Sequence, residues 1–196
     1  MNEKSFRVFV AEDEPVALMG YCAMLRILGH TVIGTASDGQ EAIDSVKDLD
    51  PDILIMDIDM PIVDGITAVE TINKDREIPT IIVTGYRNEK YVERALAAGV
   101  FAYLQKPIDE YELRSALGIA VSQFQRRKQA EEGQRTAENK LKDRITVERA
   151  KGVLMDQFGL SEQQAMRALQ KKSADTNTKL AVVAKQILDM SELLKK

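Results

Sequence analysis

Short apolar runs alternate with segments of helical period through the first 120 residues. Five runs rich in Val, Ile and Leu occur in turn, "RVFVAED", "HTVIGTA", "DILIMD", "PTIIVTG" and "AYLQKP". A segment whose apolar residues recur at helical spacing follows each run. Continuous apolar strands that alternate with helices are typical of a parallel sheet covered on both faces. The pattern therefore predicts an α/β fold with a doubly wound, five-stranded parallel sheet.

A long helix is predicted after the fifth strand. The segment "SQFQRRKQAEEGQRTAENKLKDRI" has no Pro, one Gly (Gly133) and mostly strong helix formers. Its apolar stripe is clear at Leu113 and Leu117, is interrupted by polar residues, and returns at Leu141 and Ile145. Two interpretations stay open. The helix either pairs weakly with a second copy, with Gly133 as its softest point, or is a solvated linker.

Three short helices are predicted in the last 50 residues. The first ends at Gly159, and the second starts at Ser161, which forms a capping box with Gln164. A similar pair, Asp109 and Glu112, marks the start of the fifth helix of the first half. A bundle this small needs support from the preceding helix or a second copy. The residues expected to face inward are Val147, Ala150, Leu154, Phe158, Ala165, Ala168, Leu169, Leu180, Val183, Ala184, Ile187 and Leu188.

Composition favours a globular protein with a sizeable core, since 44% of the residues are hydrophobic and 30% are charged. No apolar run approaches the roughly 18 residues that a membrane span needs, and the acidic N-terminus does not resemble a signal peptide. We therefore expect a cytoplasmic protein with no membrane partner. The single cysteine, Cys22, is expected in the core, and together with the single histidine, His30, it cannot supply four zinc ligands.

The charge is divided unequally along the chain. Residues 1–124 carry 11 Lys and Arg against 21 Asp and Glu, whereas residues 125–196 carry 16 against 10. An acidic first half and a basic second half suggest a nucleic-acid-binding module attached to a domain of another kind. A solvated basic surface is the alternative.

Charged or hydroxyl side chains end four of the five predicted strands. Glu12 and Asp13 follow the first strand, Asp57 the third, Thr84 the fourth and Lys106 the fifth. Because the carboxyl ends of parallel strands lie at one edge of the sheet, these side chains are expected to converge. Clustered carboxylates repel one another unless a cation lies among them, and Mg2+ suits such oxygen ligands beside a phosphate. The ammonium and the hydroxyl would bind the anion, so the pattern predicts a phosphoryl site.

The segments "VAEDEP", "ILIMDIDMPIVDG", "IIVTG" and "AYLQKP" resemble the motif set of the bacterial response-regulator receiver domain, which has a CheY-like, flavodoxin-like fold. The resemblance covers residues 6 to about 121. It implies that Asp57 accepts a phosphoryl group from a sensor histidine kinase or a small phosphodonor. It also implies that Asp13, Asp57, the backbone carbonyl of Asp59 and, through water, Glu12 hold Mg2+.

The same resemblance implies roles for the residues around the phosphoryl group. Lys106 would pair with its oxygens, and the Lys106–Pro107 peptide bond would be cis. Thr84 and Tyr103 would form a switch, in which the hydroxyl moves to the phosphate and the ring turns inward. Gly85 would leave clearance for the phosphoryl group, with simple chain packing as the alternative. The positions expected to set the lifetime of the acyl phosphate are Asp59 and Tyr86.

The motifs "ERAKGVLM" and "GLSEQQA", with the closing pattern LA..A, resemble the ANTAR domain, the RNA-binding output module of antitermination regulators. The resemblance implies that two such domains in a dimer bind paired RNA hairpins by their loops and prevent a terminator stem, and unpaired loop bases are what sequence-specific RNA readers mostly address. Phe158, the only aromatic residue in this part, is expected in the core, which argues against extended base stacking. The candidate RNA-binding residues are Arg149, Lys151, Lys171, Lys172 and Lys179, each with a solvated surface as the alternative.

Three hypotheses describe the whole chain. The leading one is a two-component response regulator that dimerises when phosphorylated and binds RNA through its C-terminal unit. A DNA-binding helix-turn-helix, with "SEQQAMRALQKK" as a loose recognition helix, is the rival. A catalytic output half is disfavoured, because no nucleophile, base or metal constellation follows residue 125, and no small-molecule substrate beyond phosphodonors is expected. The predicted parts are a receiver domain (1–122), a helical linker (123–144) and an ANTAR-like domain (145–190).

Overall fold

The computed structural model describes residues 5–85 and 89–193, so Tyr86 lies outside the described residues. The strands are β1 (Arg7–Ala11), β2 (Thr31–Ala36), β3 (Ile53–Asp57), β4 (Thr80–Thr84) and β5 (Ala102–Gln105). The helices are α1 (Pro15–Ile27), α2 (Gly39–Leu49), α3 (Gly65–Asp75), α4 (Glu89–Ala97), α5 (Glu110–Phe158), α6 (Glu162–Thr176) and α7 (Leu180–Leu193). The chain divides into two compact units, Met1–Lys128 and Gln129–Lys196.

The first unit contains a five-stranded parallel sheet in the order β2-β1-β3-β4-β5, which confirms the predicted fold class. Every residue of β3 and β4 is buried, because helices cover both faces. Alternate residues contribute to two cores, and each fully buried Leu or Ile contributes about 1.5–3 kcal/mol. Phe9, Leu54, Met56 and Ile82 pack with residues of α2, α3 and α4. Val8, Val10, Ile53, Ile55 and Ile81 pack with residues of α1 and α5.

Helix α5 combines three segments that the sequence predicts separately: the fifth helix of the first half, the linker helix and the first helix of the C-terminal set. Its start is as predicted, since the Glu112 N–H donates to Asp109 Oδ1 at 2.8 Å and the Asp109 N–H donates to Glu112 Oε2 at 3.0 Å. No helix end falls near residue 122 or 144. The segment has no Pro, and an interior Gly costs only about 1 kcal/mol relative to Ala, so Gly133 does not end the helix.

The C-terminal unit packs the last part of α5 with α6 and α7. Ser161 and Gln164 form the predicted capping box, which fixes the first turn of α6. Two predicted core residues are wrong: Ala168 is exposed, and Phe158 is 66% exposed. Ala165 and Leu169 carry the buried stripe of α6, and Phe158 is the last residue of α5, where the chain turns away at Gly159. The buried core residues are Val147, Ala150, Leu169, Val183, Ala184 and Leu188.

Across residues 5–85 and 89–193, the structure contains no helix with both the length and the apolar character needed to cross a membrane.

Candidate functional site

An acidic pocket lies at the carboxyl edge of the sheet. Carboxylate oxygens of Glu12, Asp13 and Asp57 all lie within 4.8 Å of one another, an arrangement that could hold a metal ion. Lys106 reaches the same pocket from the end of β5. Its Nζ lies 2.6 Å from Asp57 Oδ2 and 2.8 Å from Glu12 Oε1. The structure thus brings together four of the residues that the sequence places at strand ends.

Hydrogen bonds hold both carboxylate oxygens of Asp57 in place. Asp57 is only 3% exposed. Its Oδ1 accepts a hydrogen bond from the Ile58 N–H at 2.6 Å and a longer one from the Asp59 N–H at 3.4 Å. Since Oδ2 faces the Lys106 ammonium, the carboxylate cannot rotate freely. A carboxylate fixed in this way is oriented for attack on an electrophile that enters from the pocket.

The pocket has more negative charge than Lys106 can neutralise. Burial raises the pKa of Glu12; the hydrogen bond from Lys106 opposes this rise and the charge of Asp57 adds to it. Burial alone would lower the pKa of Lys106, but its hydrogen bonds to Asp57 and Glu12 outweigh burial and raise it. Glu12 is 1% exposed, and its Oε2 meets no hydrogen-bond partner among the described residues. A buried unpartnered carboxylate oxygen beside two further carboxylates fits a hard divalent cation.

The predicted switch residues adjoin this pocket. Thr84 is fully buried at the end of β4, and its carbonyl accepts a hydrogen bond from the Lys106 N–H at 2.8 Å. Tyr103 on β5 is half-buried and hydrogen-bonded to Thr84; burial raises the pKa of its phenol. Gly85 is exposed, and an added Cβ there would meet no described atom within 4 Å. The peptide bond between Lys106 and Pro107 is cis, as the resemblance implies.

The loop after Asp57 depends on Gly65, a residue that sequence reasoning missed. An added Cβ at Gly65 would lie 1.8 Å from the carbonyl oxygen of Asp57. The Gly65 N–H donates to the Ile58 carbonyl at 2.9 Å, and Asp64 caps α3 by accepting from the Thr67 N–H at 3.0 Å. The first turn of α3 therefore packs directly on the end of β3. The "DG" pair that starts α3 was the available signal, but the close approach is a tertiary contact.

Comparisons with known proteins match each half of the chain to a domain family. The response regulator receiver domain matches residues 8–118, and the ANTAR domain matches residues 135–188. The transcriptional regulatory protein PdtaR of Mycobacterium tuberculosis is 38% identical over 183 residues, which are 93% of this chain and 89% of the relative. This chain belongs to the response regulators. Its ANTAR domain assigns it to the class whose output domain binds RNA and antiterminates transcription.

Three further similar proteins match this response regulator over little more than half of its length. The transcriptional regulatory protein DesR of Bacillus subtilis is 38% identical over 111 residues, 56% of this chain and 55% of its own. CheY in a CheX-CheY-BeF3-Mg2+ complex from Borrelia burgdorferi has a TM-score of 0.55 and 28% identity over 57% of this chain and 86% of its own. A LuxR-family response regulator from Aurantimonas has a TM-score of 0.58 and 27% identity over 61% and 86%. Neither family that matches this regulator is a known catalytic family.

The basic residues of the regulator's output domain differ in their surroundings. Arg149, Lys171, Lys172 and Lys179 are exposed, and none of the four forms an ion pair within residues 5–85 and 89–193. Lys151 is buried and paired with two carboxylates. The four exposed residues remain candidates for phosphate contact, whereas the surroundings of Lys151 argue against that role.

The exposure of Phe158 removes one argument made from sequence. Its expected burial was the reason to exclude base stacking, and the ring is instead available at the end of α5. A single exposed ring can stack on one base, whereas extended single-strand binding uses successive aromatic residues.

The receiver also holds the first part of α5 by contacts that the sequence did not reveal. Glu77 forms ion pairs with Arg127 and, at 3.0 Å, with Lys128. The Arg127 guanidinium lies 4.5 Å from the centre of the Phe101 ring, which packs edge-on against Phe124. We call these five residues the α5 anchor. They are up to 51 residues apart in sequence, so no local pattern identifies them.

Proposed function

We propose that Asp57 is the phosphoacceptor of this response regulator and that its phosphorylation controls RNA binding by the ANTAR domain. One observation supports the assignment above all others. Asp57 is a buried carboxylate whose two oxygens are held by an ammonium and by backbone N–H groups, beside two further carboxylates. Phosphoryl transfer needs chiefly positioning and charge neutralisation, and this arrangement supplies both.

The donor is a phosphohistidine of a sensor histidine kinase or a small acyl phosphate. An oxygen of Asp57 attacks phosphorus, the P–N or P–O bond to the donor breaks, and an acyl phosphate forms on Asp57. The Lys106 ammonium, already 2.6 Å from Oδ2, stays beside the phosphoryl oxygens and offsets their charge. The hydroxyl of Thr84 donates to the same group, and Tyr103 fills the space that Thr84 leaves. Gly85 allows the phosphoryl group to approach the backbone.

Mg2+ is the cofactor that fits the pocket. Glu12, Asp13 and Asp57 would hold it, with the backbone carbonyl of Asp59 as a further ligand. When bound, it supplies positive charge that neutralises the phosphoryl oxygens. The raised pKa of Asp59, caused by burial and then by the charge of Asp57, reflects how negative this edge of the sheet is.

RNA hairpins in mRNA leaders are the partner of the ANTAR domain. Arg149, Lys171, Lys172 and Lys179 are exposed and can neutralise backbone phosphates, which supplies most of the salt-dependent affinity. Loop bases would supply the specificity. A protein that works on nascent transcripts and takes phosphoryl groups from a kinase acts in the cytoplasm. It needs no membrane partner and no small-molecule substrate beyond phosphodonors, and its output half performs no catalysis.

The regulator dimerises on activation through the middle of α5. Every residue from 129 to 145 is exposed, including Leu141 at 60% and Ile145 at 50%. A helix with no packed face is only marginally stable, and pairing two copies buries the apolar positions that remain. We propose the division into a receiver (1–122), a linker (123–144) and an ANTAR domain (145–190), and the exposed run from 129 to 145 supports the presence of a linker.

Gel shifts at one salt concentration test the output. The full chain is titrated against a leader RNA with two hairpins and against a palindromic DNA, each with and without acetyl phosphate and Mg2+. The proposal expects tighter binding to the RNA and a further increase when the phosphodonor is present. Tighter binding to the DNA would instead support a helix-turn-helix output.

The phosphoacceptor is tested with Asp57→Asn. This variant keeps the size of the side chain but lacks the nucleophilic carboxylate, so labelling by radioactive acetyl phosphate should be lost. Asp59→Asn, two residues away on the exposed side of the pocket, should still be labelled. Equal labelling of the Asp57 variant and the wild type would contradict the assignment.

A further inference from the structure

Lys151 is the one charged residue buried in the part of the C-terminal unit that the structure describes. It is 7% exposed and follows Ala150, which is fully buried in the core of the unit. A Lys side chain with so little exposed surface is usually paired with carboxylates or other acceptors. Its surroundings therefore indicate what it does.

Two carboxylates from different helices hold the Lys151 ammonium. Its Nζ lies 2.8 Å from Glu148 Oε2, one turn earlier on α5, and 2.7 Å from Glu162 Oε1, the first residue of α6. Hydrogen bonds to these carboxylates raise the pKa of Lys151, and the same contact lowers the pKa of Glu162. Two of the three N–H donors of the ammonium are thus used within the protein.

These carboxylates make Lys151 a poor ligand for RNA. A phosphate that reached its Nζ would have to approach Glu148 and Glu162 as well, and like charges repel at that distance. Arg149 and Lys171 are exposed and form no ion pair with any residue that the structure describes. A phosphate would therefore bind to them rather than to Lys151.

The contact spans the turn between two helices. Helix α5 ends at Phe158, Gly159 adopts a φ of 63°, and Ser161 caps α6. The ion pair from Lys151 to Glu162 closes this turn, which we call the elbow (residues 151–162). Helix α6 carries Arg167, Lys171 and Lys172, so the geometry of the elbow sets where these side chains lie relative to Arg149 on α5.

We propose that Lys151 is a positioning residue of the RNA-binding domain: it fixes the elbow and thereby places the basic side chains of α6, without contacting RNA. The inference rests on the proposed RNA-binding function and adds the residue that organises the binding surface. Glu148 and Glu162 have side chains that are 57% and 71% exposed, so solvent screens the pairs. The fold should therefore survive their loss, and the local order of the elbow should not.

The salt dependence of RNA binding distinguishes positioning from contact. The probe is a tandem stem-loop RNA enriched on the wild-type chain from a pool with randomised loops. A lost phosphate contact lowers the slope of log K against log salt by about 1, as expected for Lys171→Met. Lys151→Met should weaken binding about threefold or more and leave the slope unchanged. A slope lowered as in Lys171→Met would overturn the proposal.

Glu162→Gln tests the proposal by the direction in which the affinity for RNA changes. Removing a negative charge from an RNA-binding domain should strengthen binding if the charge acts only through the field, and Asp175→Asn, an exposed residue of α6, is the control for that effect. The proposal expects weaker RNA binding for Glu162→Gln, because Lys151 then has no charged partner on α6 and keeps at most a neutral hydrogen bond there. Binding as tight as that of Asp175→Asn would contradict it.

Hydrogen exchange in the full chain without RNA separates this inference from the function on which it rests. Lys151→Met and Glu162→Gln should speed exchange in residues 160–166, and Lys171→Met should not. Unchanged exchange in both elbow variants would overturn the positioning role, even if RNA binding were established. If the wild type enriched no RNA, the proposed function would fail, while the exchange data would still decide whether Lys151 fixes the elbow.

Discussion

Gly65 is the residue whose lack of a side chain matters most to the phosphoryl site. Gly65→Ala would push a Cβ into the Asp57 carbonyl, and relieving that overlap must move either α3 or the end of β3. We expect the receiver to lose about 2 kcal/mol or more of its free energy of unfolding, and Asp57 to be labelled more slowly by acetyl phosphate. Urea unfolding followed by tyrosine fluorescence measures the receiver selectively, since all tyrosines precede residue 112.

Gly118→Ala is the matched control. Gly118 is exposed on α5, and an added Cβ meets nothing within 4 Å. Because Ala favours a helix over Gly by about 1 kcal/mol, this variant should be slightly more stable than the wild type. Equal effects of the two substitutions would show that the approach of α3 to Asp57 is not tight.

The contribution of the α5 anchor to the free energy of unfolding depends on pH through Glu77. Partial burial would raise the pKa of its carboxyl, but hydrogen bonds from Lys128 and Arg127 outweigh burial and lower it from 4.5. A lowered pKa in the folded state means that the contribution to stability is present above about pH 4.5 and is lost as the pH falls through the folded value. Glu77→Gln should therefore cost about 1 kcal/mol at pH 7 and progressively less below pH 4.5.

The same urea experiment at several pH values checks this prediction. Glu70→Gln, on the exposed side of α3, removes a carboxylate that makes no ion pair with a described residue and should have little effect at any pH. If the loss of stability in Glu77→Gln stayed constant from pH 7 to pH 3, the charge of Glu77 would not be its cause.

At the scale of elements, helix starts follow from local chemistry. Asp38, Asp64 and Ser161 each accept a hydrogen bond from the backbone N–H three residues later. Such caps satisfy N–H groups that have no partner within the helix, so their sequence signal is local. Helix α5 shows the opposite case: it runs without a break through three predicted helical segments, because nothing in its sequence ends a helix before Gly159.

Ser161→Ala tests the capping box of α6. Removing the hydroxyl leaves the Gln164 N–H without its acceptor and should cost about 1 kcal/mol. Hydrogen exchange at the first turn of α6 should rise in the full chain, and exchange in the receiver should not. Ser122→Ala, at an exposed position within α5, is the control and should leave both unchanged. Normal protection of α6 in the Ser161 variant would mean that the cap is dispensable.

At the scale of the whole molecule, the proposed switch is a change in association. Sedimentation equilibrium of the full chain should show a higher mass with acetyl phosphate and Mg2+ than without them. Leu141→Lys combined with Ile145→Lys should remain monomeric although Asp57 is still labelled, because the charges remove the apolar stripe on which pairing depends.

Thr136→Lys combined with Asn139→Lys adds the same charge away from that stripe and should dimerise like the wild type. Phosphodonor-driven dimerisation that persisted in Asp57→Asn would overturn the switch, whatever the behaviour of the α5 variants. Association of the Leu141 and Ile145 variant at wild-type strength would place the dimer interface elsewhere.

Local patterns were enough to predict the sheet, most helix starts and the convergence of Glu12, Asp13, Asp57 and Lys106. Parallel strands place their carboxyl ends at one edge, so position in the chain determines proximity there. The predicted burial of Phe158 and Ala168 was wrong. A helical stripe shows which positions share a face, but it does not show where neighbouring elements stop covering that face. The partners of Lys151 were missed for a related reason, since Glu162 belongs to another helix.

The sequence by itself determined the fold class, the identity of the acidic pocket and the division into an acidic and a basic half, because periodicity, strand order and charge are properties of the chain. Only the tertiary structure decided which basic residues are free and which are used internally, how closely α3 approaches Asp57, and what holds α5 to the receiver. Those features depend on contacts between residues far apart in sequence, and the energy of such contacts is set by distance and burial rather than by spacing along the chain.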